Sequence, residues 1–212
     1  MCWKKEKVNL RLLDYCLWLN QPVYARIPRD VLHKMYDEAV RYGSVTAEKY
    51  PIEQEGMFED QFRKYGVADI RTFLQPNLFN VGEKGFYLPS EKIIYYNASF
   101  AAMLLQTGSE ANICGNEEEI RRAILLHELF HHIEEHLEKP THQYLRQQYK
   151  LHAGSIFREI AAFTFANVQM MDFICQMIDV MWLKAFAPKQ YEILCTTYFT
   201  AEENEEFYPE SP

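Results

Sequence analysis

His127-Glu128-Leu129-Phe130-His131 places two imidazoles four positions apart, with a carboxylate between them. Four helical residues turn through about 400°, so the two rings sit about 40° apart, one turn up, and can face a single ion. Glu128 is turned about 100° from His127, where its carboxylate can reach a water at that ion instead of the ion itself. Two neutral imidazoles suit zinc, and a carboxylate that takes a proton from water suits hydrolysis. The H-E-x-x-H spacing therefore points to metal-assisted hydrolysis, with His127 and His131 as Zn²⁺ ligands and Glu128 as general base. The alternative is a pair of core histidines satisfied by hydrogen bonds.

A catalytic zinc takes a third protein ligand. His152 and Glu159 are the candidates. His152 falls in an expected loop before Gly154. Glu159 falls in the first turn of the next helix, in line with Ala162, Phe163, Ala166 and Met170. An ionised carboxylate on such an apolar face is costly unless paired or metal-bound, which favours Glu159. Ala162 and Ala166 are small enough to let that helix approach the His127 helix. The other reading of Glu159 is a partner for Arg158 or His152, or a stabiliser of its helix N-terminus.

These residues must be positioned by their elements. Asn116-Glu-Glu-Glu119 opens a helix to about Leu137, with Asn116 as cap and Glu119 closing a capping box. Ile120, Ala123, Ile124, Phe130 and Leu137 share the arc of His127 and His131. Glu117, Arg121, His132 and Glu135 fall on another arc, so His132 and His136 are expected at the surface or against neighbouring helices. Upstream, Gly85–Leu88 and Lys92–Tyr96 read as a hairpin turning at Pro89-Ser90-Glu91. Residues 8–19, 27–42 (closed by Gly43), 46–66 in short pieces, and 99–106 read as helices. From Ser155 a helix is expected to about Phe186, continuous or with one break, with Gln169, Asp172, Gln176 and Asp179 as a polar stripe. The expected organisation is a helical N-terminal region over 1–80 packed on or adjoining the core, a core over 81–200, and an acidic tail over 201–212 carrying five glutamates. The expected fold class is α+β, mostly helical with a small sheet before the His127 helix.

Composition limits the function. The chain of 212 residues has a formal net charge of −8, which argues against a nucleic-acid surface. The apolar stretch over 160–188 is interrupted by Asn167, Gln169, Asp172 and Asp179, so no membrane span is expected. Five cysteines without paired spacing do not make a disulfide framework, and a cytoplasmic location is the expectation.

His127-Glu128-Leu129-x-His131, followed by Glu159-x-x-Ala162-x-x-Phe165-Ala166, resembles the ImmA/IrrE-type zinc metallopeptidases, which are gluzincin-like. The resemblance covers roughly residues 85–175. It implies a zincin-like core, His127, His131 and Glu159 as zinc ligands, and Glu128 as general base. It further implies a protein substrate, often a helix-turn-helix repressor. Phe130 stands where such enzymes usually carry glycine, and Phe163 where asparagine is common. Tyr95, Tyr96, Tyr144, Tyr149 and His152 are candidates to stabilise an oxyanion.

Two other functions compete with a zinc-dependent endopeptidase. One is a catalytically silent, metal-binding regulatory or protein-interaction module. The other is a di-iron bundle, since Glu128-x-x-His131 fits the Glu-x-x-His element, but no second copy of that element occurs.

Overall fold

The computed structural model describes residues 8–19, 27–53, 58–74, 84–107, 115–149, 156–170 and 173–203. His152, Ser155, Asp172, and residues 204–212 of the acidic tail lie outside them. The helices are α1 (Leu10–Asp14), α2 (Arg29–Lys49), α3 (Phe58–Lys64), α4 (Phe100–Thr107), α5 (Glu117–His136), α6 (Thr141–Tyr149), α7 (Ile156–Met170), α8 (Met177–Phe186) and α9 (Pro188–Glu203). The strands are β1 (Asp69–Phe73), β2 (Gly85–Leu88) and β3 (Ile93–Asn97). The fold is thus mostly helical with one small sheet, an α+β arrangement.

The expected hairpin forms: β2 and β3 pair antiparallel, from Gly85 opposite Tyr96 to Leu88 opposite Ile93. β3 is the central strand, because β1 joins its other edge in parallel. β1 was not expected, and it brings residues of the front region into the same sheet. Side chains alternate along these strands. Phe86 stacks on Tyr95 at 4.8 Å and meets Phe73 in a tilted contact at 5.8 Å. On β2, Gly85 and Tyr87 instead meet α5.

α5 packs against α7, α4, β2 and β3. Every residue from Ala123 to Glu134 is buried. A helix enclosed on all sides has no solvated arc there, so of the two places expected for His132 the surface is excluded, while His136 is exposed. β2 and the turn after α3 cover that side. The Tyr87 hydroxyl donates to His132 Nδ1 at 2.9 Å, and His132 Nε2 donates to the Tyr65 carbonyl at 2.9 Å. A carbonyl only accepts, and that assigns the tautomer.

The expected helix stop at Gly43 does not occur, and α2 continues to Lys49. A Cβ at position 43 would stand 2.3 Å from the Ala161 carbonyl oxygen and 2.9 Å from Thr164 Cβ. The missing side chain therefore serves a close approach of α2 to α7, where glycine is needed for space and not for a break.

Of the two forms expected after Ser155, the broken one occurs, as α7 and α8. Side-chain amides satisfy the break: Cys175 N donates to Asn167 Oδ1 at 2.8 Å, and Asn167 Nδ2 donates to Gln176 Oε1 at 2.9 Å. The expected polar stripe is dispersed accordingly. Gln169 Nε2 donates to the Ala47 and Tyr50 carbonyls at the end of α2, while Asp179 pairs with Lys84. α6 and α9 were not expected, and α9 carries the helix past Ala201 to Glu203.

Candidate metal centre

α5 begins where the sequence places it. Asn116 Oδ1 accepts from Glu119 N at 3.0 Å, and Glu119 Oε2 accepts from Asn116 N at 2.8 Å. This reciprocal cap satisfies two of the helix's free donors. It sets the start from which His127 and His131 are counted.

The two histidines are 4% and 8% exposed. Their ring centroids are 4.9 Å apart and the ring planes are 82° to each other. Their Nε2 atoms approach to 3.2 Å. α7 brings Glu159 to the same point, with Oε2 3.0 Å from His127 Nε2 and Oε1 3.6 Å from His131 Nε2. One donor atom from each residue lies within 4.8 Å of the others, and no other such group of His, Cys, Asp or Glu forms among the described residues. Zinc at about 2.0–2.2 Å from N and O donors in a tetrahedron spaces neighbouring donors about 3.3 Å apart. The two Nε2 atoms, 3.2 Å apart, match that edge, and Glu159 approaches them through different oxygens, so the three residues can offer three donors to one ion with a fourth position left over.

The ionisable groups of the cluster shift one another. Burial pushes the Glu159 carboxyl up, but hydrogen bonds from His127 and His131 outweigh it and hold the group well below the usual carboxylate range. Burial disfavours the charged form of His131, yet hydrogen bonds to Glu134 and Glu159 carry its pKa up to about 10. The two carboxylates that flank His131 thus favour a proton on it. An ion binding there replaces that proton.

Glu134 is the residue that sequence reasoning missed. Its side chain has 0% exposure. Oε1 lies 3.1 Å from His131 Nδ1, and Oε2 accepts from Thr141 N at 2.9 Å and from Thr141 Oγ1 at 2.8 Å. Arg158 Nε donates to Oε1, and Arg158 Nη2 donates to Glu135 at 3.1 Å. A carboxylate three residues after a candidate ligand histidine was the available signal, since i and i+3 are neighbours on a helix.

His127 is held differently. Its Nδ1 is buried with no hydrogen-bond partner. The Phe163 ring lies 4.5 Å from its ring centroid, and Trp18 stacks on Phe163 at 4.9 Å. Trp18 comes from the π-helical turn Tyr15–Leu19 that continues α1. The Lys84 ammonium lies 5.0 Å from the Phe163 ring and pairs with Asp179 at 2.8 Å.

Glu128 is buried, and its carboxylate has no hydrogen-bond or ion-pair partner among the described residues. The β2 backbone passes beside it, since a Cβ at Gly85 would stand 3.8 Å from Glu128 Cγ. Phe130 points into the core, with its ring 5.7 Å from Phe165 and 6.2 Å from Tyr42. The tyrosine candidates are not brought to the donor group. Tyr95 stacks on Phe86, Tyr96 is core, and Tyr144 is bonded to Glu38 and Arg41. His152 and the side chain of Tyr149 lie outside the described residues.

No protein-family model, curated protein or solved structure matches the chain. Among the described residues, no helix is long and apolar enough to cross a membrane.

Proposed function

We propose that this chain is a zinc-dependent endopeptidase of the ImmA/IrrE type, with His127, His131 and Glu159 as ligands. What supports it most is the convergence of one donor atom from each of those three residues within 4.8 Å, with Glu128 buried next to His127 in the same helix and without a hydrogen-bond or ion-pair partner among the described residues. Zinc held there would polarise a peptide carbonyl and make water acidic enough to deprotonate near neutral pH. Glu128 takes one proton from the attacking water and delivers one to the leaving nitrogen. The substrate class is a folded or extended protein segment, with a cytoplasmic helix-turn-helix repressor the candidate implied by the resemblance. Glu128→Gln is expected to keep zinc and lose cleavage. Equal cleavage by wild type and Glu128→Gln would overturn the catalytic assignment.

The second reading is a metal-binding regulatory module without catalysis. Phe163 favours it, because a buried aromatic ring occupies the flank of His127 that the resemblance gives to asparagine. Stoichiometric zinc in a wild type that cleaves no candidate repressor would select this reading.

A further inference from the structure

We propose that Glu134 is the positioning residue of the centre, acting on two ligands at once. The inference rests on the proposed zinc site but not on its catalysis. A carboxylate with no exposure is costly to bury, and persists where every lone pair is engaged. Glu134 meets that condition with groups from three places: His131 on its own helix, Thr141 at the start of α6, and Arg158 on α7.

Each contact does something specific. The carboxylate accepts from His131 Nδ1, which leaves Nε2 as the atom that faces His127 and Glu159. Such a partner selects the tautomer and orients the ring. Arg158 immediately precedes Glu159. Its bond to Glu134 therefore sets how far along α5 the third ligand sits. Arg158 also reaches Glu135, so the guanidinium spans two consecutive acids of α5. The third contact holds the first residue of α6 by its backbone N–H and hydroxyl. His127 has no equivalent, as its Nδ1 is unpartnered. One side chain thus sets the orientation of His131 and the register of Glu159.

The test measures zinc affinity by competition with a chromogenic chelator, and the visible absorption spectrum of the Co²⁺-loaded protein. Glu134→Gln is expected to weaken zinc by about 10- to 100-fold and to change the Co²⁺ bands at saturation. Leu145→Ala is the control, since Leu145 is a buried apolar residue of α6 and has no polar contact with His131. It is expected to lower the melting temperature without moving affinity or spectrum. If Glu134→Gln does not fold, Arg158→Gln tests the other arm, with a several-fold loss of zinc affinity expected. Wild-type zinc affinity and unchanged Co²⁺ bands in a folded Glu134→Gln or Arg158→Gln overturn the proposal and leave the zinc site standing. A wild type that binds no zinc overturns the site itself.

Discussion

His131 and His127 sit one turn apart on the same helix and are held by opposite means. His131 is anchored through Nδ1 to a carboxylate that is itself fixed from two other helices. His127 is wedged by an aromatic ring, backed by Trp18, with its own Nδ1 unpartnered. A hydrogen bond behind the ring, at Nδ1, directs the His131 imidazole, whereas a packed aromatic ring restricts where the His127 imidazole can go without engaging its Nδ1. On the proposed reading the polar side is therefore expected to govern affinity for the ion, and the apolar side stability.

Predictions follow that contrast from the largest effect to the smallest. Glu128→Gln leaves both anchors intact and is expected to reduce peptide hydrolysis by about 10²–10⁴-fold with zinc content unchanged, measured by turnover and metal analysis. Phe163→Ala removes the apolar support and is expected to cost about 3–5 kcal/mol in denaturant unfolding. Its zinc affinity in the folded state is expected to fall less than that of Glu134→Gln. The reverse order would abolish the distinction. Gly43→Ala forces α2 away from the helix that carries Glu159, at a cost of about 1–3 kcal/mol in the same assay.

The smallest effect concerns pH. Asp14, at the end of α1, accepts from Tyr36 and Gln176, and burial pushes its carboxyl from 3.8 up to about 7. A raised carboxyl contributes stability that is complete below its unfolded value and lost as pH rises through its folded one. Wild type is therefore expected to lose stability as pH rises from about 4 to about 7 and to level off above that. Asp14→Asn is expected to flatten that slope, read as melting temperature at a series of pH values. Asp14 leads directly into the turn that carries Trp18, so this probes the apolar side.

Much of the centre was legible because helices have a fixed period. The i, i+4 histidines, the Asn116 cap and the apolar face bearing Glu159 are all local patterns, and the structure brings those residues together. The hairpin was legible from turn residues and β-prone runs. Gly43 was misjudged because one residue type serves both as a helix stop and as a point of close approach. Only the position of Ala161 across the gap decides between them. β1 escaped notice because its pairing to β3 is long-range. His132 reads as polar surface until Tyr87 and Tyr65 supply partners. Glu134 was missed for the same reason, since two of its partners come from beyond its own helix.

The most direct test of the central claim is metal analysis of the protein purified without chelators, beside Glu159→Ala. The account predicts about one zinc per wild-type chain and loss of that zinc in the variant. Wild type without zinc, or a variant that retains it in full, would contradict it.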